Sequence, residues 1–398
     1  MRAIVPVPLR PLDAASWASS VAPGARFDLS QDSLVCHLRD LDSDDQDAPV
    51  PDDAPDGRAR VTWLHGAPRL TWLDAEAALA AVVARRYGVQ PGQVTLTLGA
   101  NQAIIHALLA VLRPGDHVVV ERPTYEPLFR VPEMLGASVS RIDRRFEDGW
   151  QLVPERLAKV LTSRTRVVVL TNLHSPSGVA CSPRTLAEIA ALAARVGALV
   201  LVDEVLLDFA FDLDQSAACR PACIVADNAI SFSSTSKGLG LPSLRIGWLV
   251  TRDPDAARDL KIAPDYLHAR LPATTARLAA AALGQADELA QRGVRLAAAG
   301  RRVVERWSQG EPRVECVLPH AGFHMLLRLP KGISDQAFAT HLRARYETQV
   351  VPGGVLEAPG HVRLNLAAGA PVLEQGLANL SAALDDLLLT DGPPRAAA

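Results

Sequence analysis

Between residues 94 and 250, short runs of apolar residues alternate with longer stretches whose apolar positions recur every three or four residues. "VTLTLGA" (94–100) predicts a strand. "NQAIIHALLAVL" (101–112), apolar along one face, predicts an amphipathic helix. After the turn "RPGD", "HVVVERPTY" (117–125) predicts a second strand. "RVVVLTN" (166–172) and "ALVLVDEVL" (198–206) predict two more, with a helix at about 184–196 between them, and "AISFSST" (229–235) and "LRIGWLV" (244–250) complete the set. Strands that are nearly all apolar, alternating with helices, imply a sheet covered on both faces and paired at least partly in parallel. The expectation is an α/β protein with a large domain over residues 60–270. Ala/Arg/Leu-rich helical stretches (275–308) and a strand "GFHMLLRLP" belong to a smaller α+β domain over 271–390. Residues 1–59 form an N-terminal segment, and 391–398 a loose tail.

Composition adds limits. Net charge is −3 with no basic block, which gives no reason to expect nucleic acid or an anionic membrane as partner. No apolar run approaches the ~18 residues of a membrane span. The start "MRAIVPVPLRPLD" lacks the unbroken apolar core of a signal peptide, so the expected location is the cytoplasm. The five cysteines are scattered, and Cys219 and Cys223 have no histidine near them, so reduced thiols are expected rather than a zinc site. Residues 40–56 hold eight aspartates and three prolines and read as a mobile, solvated loop.

Candidate chemistry gathers at the predicted strand ends. The strand–glycine–helix turn "TLGANQAI" turns the first amides of a helix, those of Ala100 and Asn101, toward an anion. "LVDEVLLDF" ends an apolar strand in Asp203 and Glu204, and a buried carboxylate there needs a partner. Only four of the 41 basic residues are lysines (Lys159, Lys237, Lys261 and Lys331), and Lys237 sits in "SFSSTSKGLGLPSLRIGW", among serines and glycines. A lysine in an apolar setting loses its preference for the charged form and becomes a nucleophile. Hydroxyls and Arg245 beside it suit a phosphate dianion. Lysine, hydroxyls, arginine, anion turn and buried aspartate together suit one phosphorylated carbonyl cofactor with a cationic ring, pyridoxal 5′-phosphate (PLP).

At this point the chain resembles the class I/II aminotransferase family of PLP enzymes. The resemblance rests on "S-x-S-K-x7-R" from Ser234 to Arg245, on the thirty-four residues from Asp203 to Lys237, and on "GANQA", "RPTY" and "HVRLNLA". It covers about residues 60–370 and implies the type I fold of PLP-dependent transferases. It further implies that Lys237 carries PLP covalently and then moves protons at the substrate Cα, and that Asp203 pairs with the ring nitrogen. Tyr125 would stack on the ring. Ala100, Asn101, Ser234, Ser236 and Arg245 would hold the phosphate, and Arg363 the substrate carboxylate. A homodimer acting on a small-molecule amino acid is implied as well. His320 and His324 read as part of a strand entry, and no metal is expected.

Two positions depart from the family. Where it has an asparagine that contacts the cofactor's phenolic oxygen, "TNLHSPSG" has Ser175; where it has a tyrosine donating to the same oxygen, this chain has Leu206. No counterpart of the tyrosine that reaches the partner subunit's phosphate is evident. Transamination is the commonest activity of the family. The altered pair keeps open a non-transaminating PLP enzyme of the same fold, performing elimination, replacement, cyclisation or oxidation with O₂. A PLP-sensing regulator is a third reading, but residues 1–59 contain no basic helix-turn-helix pattern.

Overall fold

The computed structural model describes residues 25–30, 71–209, 219–319 and 321–390, with isolated positions 13, 17 and 20. The Asp-rich stretch 40–56, the tail 391–398 and His320 lie outside the described residues. In chain order the strands are β1 (Phe27–Asp28), β2 (Val94–Thr97), β3 (His117–Arg122), β4 (Ser138–Asp143), β5 (Thr165–Thr171), β6 (Leu199–Asp203), β7 (Ala229–Ser234) and β8 (Gly247–Thr251). They continue as β9 (Glu315–Cys316), β10 (His324–Arg328), β11 (Thr348–Gln349), β12 (Val351–Pro352) and β13 (His361–Asn365).

The large sheet has seven strands in the order β2-β8-β7-β6-β5-β3-β4. All pairs are parallel except those of β8, which is antiparallel to both its neighbours. Val118–Val120, Val167–Leu170 and Val200–Val202 are at most 1% exposed, because helices cover both faces. On one face Ala103, Ile104 and Leu108 of the helix Ala100–Val111 meet Val120, Val169, Leu201, Phe232 and Leu249. On the other, Leu186, Ile189 and Ala193 of the helix Pro183–Ala194 meet Val168, Leu170, Val200 and Val202. Each such fully buried aliphatic side chain contributes about 1.5–3 kcal/mol of transfer free energy. Near β8, the helices Trp72–Tyr87 and Ala273–Gly284 pack on each other and on Trp248 and Val250.

A four-stranded antiparallel sheet, β12-β13-β10-β9, forms the second unit. Its core includes Phe323, Met325, Leu327, Phe338, Val362, Leu364 and Leu377. The 25-residue helix Ala286–Gly310 joins the two: Ala286 packs with Trp248, while Val303 and Val304 lie in the second core. Segment 25–30 belongs with this unit, through the parallel pair β1–β11 and the buried Leu29.

Two strands are shorter than their apolar patterns. β3 ends at Arg122, because Pro123 has no N–H to continue the ladder. β8 starts at Gly247, because Pro242–Leu244 forms a 3₁₀ turn and Arg245 takes the left-handed conformation, φ 51°. Among the elements without a prediction are the edge strand β4 and the helix Trp72–Tyr87, which is capped by Thr71 accepting from the Asp74 N–H and closed by Gly88 at φ 65°.

Candidate active site

Gly99 caps the helix Ala100–Val111 at φ 79°, a conformation glycine adopts without strain. The first-turn amides of Ala100 and Asn101 have no acceptor within the helix. The Arg245 guanidinium lies directly over this turn: a methyl group on Gly99 would stand 2.7 Å from Arg245 Nη2. Gly247 packs against the same turn, where a methyl would come 2.7 Å from the Gly99 carbonyl carbon. Two glycines thus let a guanidinium settle on a helix N-terminus, a cradle for a dianion.

β7 ends beside the cradle. Ser234 is buried and its Oγ accepts from the Ser236 N–H at 3.3 Å. The turn that carries Lys237 closes on itself: the Leu241 N–H donates to the Thr235 carbonyl at 3.0 Å and the Gly240 N–H to the Lys237 carbonyl at 3.2 Å. Below the turn, the ion pair of Arg86 with Asp208 braces it, for a methyl on Gly238 would collide with Asp208. Lys237 itself is half-buried.

Asp203 ends β6, next to β7, at 7% exposure. Its Oδ1 accepts from the Val205 N–H at 3.1 Å. Burial pushes its carboxyl up to about 7, opposed by that hydrogen bond and by the charge of Lys237. Such a carboxylate ionises fully only beside a further cation. Glu204 lies on the opposite face, its Oε1 accepting from the Ser231 hydroxyl at 2.9 Å and from the Ala222 N–H at 2.6 Å; burial pushes it up to about 8.

Tyr125 follows β3 and its hydroxyl donates to Asn101 Oδ1 at 3.2 Å, which ties it to the anion turn. Ser175 lies in the loop after β5, half-buried, its N–H donating to Thr171 Oγ1 at 3.1 Å. That loop rests on a network the sequence reading missed. Arg144 and Glu121, both side chains fully buried, pair at 2.7 Å. Glu121 Oε1 accepts from both the N–H and the hydroxyl of Thr171 at 2.6 Å. The lone glutamate ending "HVVVE" was the available signal, but its partners come from other strands. His174 joins the two loops: its Nε2–H donates to the Pro123 carbonyl at 2.9 Å, so its Nδ1 accepts from the Ser177 hydroxyl at 2.6 Å. Burial holds this imidazole well below its usual range, hence neutral.

Leu206 is 3% exposed and packs with Leu173, Phe209 and Phe323. Arg363 stands on β13 in the second unit, its guanidinium donating to the Ser30 carbonyl at 3.2 Å. His324, on β10, is buried with its ring 4.1 Å from that of Phe323. Among the described residues no cluster of three or more His, Cys, Asp or Glu side chains could hold a metal ion, and Cys181, Cys219, Cys223 and Cys316 are free thiols.

The residues present fit PLP: a cradle at Gly99 that a single methyl group would fill, a guanidinium seated on it, and a buried aspartate coupled to the one lysine in the turn. Comparison with known proteins agrees. The family model for aminotransferase class I and II matches residues 62–378. Capreomycidine synthase of Streptomyces vinaceus is 34% identical over 305 residues, 76% of this chain and 77% of that protein. Arginine–pyruvate transaminase of Pseudomonas aeruginosa is 28% identical over 386 residues, 94% of this chain and 96% of the relative. Among solved structures, a PLP-dependent aminotransferase from Streptococcus suis superposes with a TM-score of 0.85 at 26% identity, over 96% of this chain and 99% of that one. The PLP-dependent cyclase OrfR gives 0.76 at 24% identity, over 97% of this chain and 100% of its own, a likeness that speaks for the fold.

Proposed function

We propose, on the premise that the chain belongs to the class I and II aminotransferases, that Lys237 carries PLP and takes and returns the proton at the Cα of an amino acid substrate. The chain is an enzyme of the PLP-dependent aminotransferase family, with the type I fold of aspartate aminotransferase-like proteins. The observation that carries the assignment is Asp203, a buried carboxylate at the end of β6 beside β7, the strand that leads into Lys237. When bound, the cofactor supplies an electron sink for the carbanion left at Cα.

The chain's own residues do the rest. Arg245 and the amides of Ala100 and Asn101 hold the phosphate, with Ser234 and Ser236 alongside. Asp203 holds a proton on the ring nitrogen. Tyr125 covers the ring, and its bond to Asn101 fixes its tilt. Ser175 borders the phenolic oxygen. Arg363, steadied by the Ser30 carbonyl, grips the substrate carboxylate and so presents the Cα hydrogen to the Lys237 amine. Borohydride treatment of the purified protein should fix the cofactor to the peptide containing Lys237. A label on Lys159, Lys261 or Lys331 instead overturns the assignment.

A second reading is favoured by one observation. Leu206 faces an apolar core and donates to nothing, and Ser175 offers at most one hydroxyl. We infer that the site is tuned for chemistry beyond amino exchange, such as elimination, replacement or ring closure, in a biosynthetic pathway; the relative named capreomycidine synthase is consistent with this. Offering a panel of amino acids, arginine first because of the transaminase relative, separates the readings. Release of the matching keto acid with consumption of an amino acceptor supports transamination. Release of ammonia, a side-chain fragment or a cyclised amino acid supports the second.

The working form is proposed to be a homodimer. The apolar side chains of Trp72, Leu73, Ile105, Leu109, Ile262 and Tyr266 are exposed, from 36% at Ile105 to 86% at Tyr266. Their elements lie close together: the helix Ala263–Leu267 packs on the helix Ala100–Val111, and Arg270, just beyond it, stacks on Trp72. Such a patch beside the anion turn suits a second copy of the chain. Sedimentation of an active monomer would refute this. We place the enzyme in the cytoplasm, which the free thiols suit. Among the described residues no helix is long and apolar enough to cross a membrane. Recovery of native chain from a secreted fraction would overturn the location.

A further inference from the structure

Ligands of sheets built from parallel strands bind beyond the strands' carboxyl ends. At that end of the large sheet, β3, β4 and β5 meet in a buried ion pair. Glu121 lies near the end of β3, Arg144 directly follows β4, and Thr171 ends β5. Both charged side chains are fully buried and pair at 2.7 Å. Such a pair is a weak source of stability, because taking two charges out of water costs about as much as their attraction returns, and apolar residues of similar size serve as well. What it supplies is direction.

That direction is specific. Arg144 reaches three elements: its Nε–H donates to Glu121 Oε2 at 2.7 Å, its Nη1–H to the Trp150 carbonyl at 3.2 Å and its Nη2–H to the Thr171 carbonyl at 3.1 Å. Burial pushes the Glu121 carboxyl up, opposed by the Arg144 charge and by the bonds from Thr171. A neutral Glu121 would leave the guanidinium, which keeps its proton, buried without a counter-charge, so the pair stays ionised. The carboxylate only accepts. It therefore takes the single proton of the Thr171 hydroxyl, at 2.6 Å, and this leaves the hydroxyl's lone pairs to receive the Ser175 N–H at 3.1 Å. Thr171 is also the register partner of Asp203 across β5 and β6, and the Asn172 N–H donates to the Asp203 carbonyl at 2.8 Å. The pair's charge is felt by His174, Cys181 and Asp203. Burial holds His174 neutral and pushes the Cys181 thiol up to about 11 and Asp203 up to about 7, so Asp203 is the group among them that changes charge near neutral pH.

We propose, building on Lys237 as the PLP lysine, that Glu121 and Arg144 are positioning residues for the ring site: through the Thr171 hydroxyl they set where Ser175 stands beside the phenolic oxygen, and as a balanced pair they keep a buried guanidinium from acting on the ring. They work through Thr171 and through their mutual charge.

The test is a pH titration of the bound cofactor's absorption in three variants of the holoenzyme. Thr171→Val keeps the threonine's shape and both charges but loses the hydroxyl, so Ser175 loses its tether and the phenolic oxygen its donor; the midpoint should rise by about half a unit. Thr171→Ser loses a methyl group and keeps the hydroxyl, and its titration should overlay the native one. Glu121→Gln leaves the Arg144 charge unbalanced, which favours loss of a proton nearby, so the midpoint should fall by about half a unit or more. A packing role predicts the reverse order at Thr171, with serine the worse replacement, and gives no reason for opposite signs. Thermal melts of the cofactor-free variants check that each folds; where Glu121→Gln does not, the Thr171 pair decides. Native titration in Thr171→Val, or an equal shift in Thr171→Ser, overturns the proposal, as does a rise in a folded Glu121→Gln. Should the native protein take up no PLP, the assignment of Lys237 has failed and this inference falls with it; a PLP-bearing native protein whose variants all titrate alike fails the inference alone.

Discussion

Asp203 and Glu204 are neighbours in the chain, yet they work on opposite faces of the large sheet. Asp203 shares its face with Phe232, Leu249 and the helix Ala100–Val111, and feels the charge of Lys237. Glu204 faces Ser231 and the first turn of the short helix at Ala222, and feels no lysine. Burial raises both carboxyls, to about 7 and about 8. On the proposed assignment the same physical perturbation serves catalysis on one face and structure on the other, and only the neighbouring groups tell them apart.

Four variants probe that division. Lys237→Ala should have the largest effect, lowering turnover by about 10³-fold or more, since no other amine can move the Cα proton; single-turnover assays of product measure it. Asp203→Asn should retain the fold and bound PLP but lose turnover by about 10²–10³-fold, because an amide cannot hold the ring nitrogen protonated. Turnover close to native in that variant would erase the contrast between the two faces.

Glu204→Gln should change turnover by no more than about threefold, within the scatter of indirect effects. Its signature is in stability. With both carboxyls raised, the cofactor-free native state keeps protons that the unfolded chain releases. Stability is then fully present below about pH 4 and falls as pH rises through about 8. The glutamine variant removes one share of this slope, so its thermal melts between pH 5 and 9 should be flatter. An unchanged slope would mean that Glu204 does not carry it. Leu206→Tyr should have the smallest effect: a new donor beside the phenolic oxygen stabilises its charge and should lower the pH at which the bound cofactor's absorption titrates, by up to about one unit. A titration that overlays the native curve removes Leu206 from consideration.

The sheet was legible where burial is complete. "VVV" in β3 and β5 and "LVLV" in β6 stand out because both their faces are covered. β4 was not, because as an edge strand it buries only Ile142, and "SVSRID" carries no periodic signal. Lys237, Asp203 and Arg245 could be placed by chemistry, since each sits at a strand end with unusual neighbours. The network Glu121–Arg144–Thr171 could not, because it joins three separate strands' ends, and spacing along a chain is silent about such meetings. Nor could the Trp150–His361 contact, which spans more than two hundred residues of sequence.

The reversal of β8 has a consequence for how this site can vary. Lys237 leaves β7 at the edge where the parallel strands finish, and Arg245 enters β8 at that same edge because β8 runs the other way. Were β8 parallel, the arginine would open a strand at the opposite rim, one strand length away. The linker between Lys237 and Arg245 therefore need not cross the sheet; it only has to fold back over its own rim. Within that fold-back the bond from the Leu241 N–H to the Thr235 carbonyl and the buried Leu239, Leu241 and Leu244 set the linker's length, so residues added or removed between Gly238 and Ser243 would shift Arg245 away from the Gly99 turn.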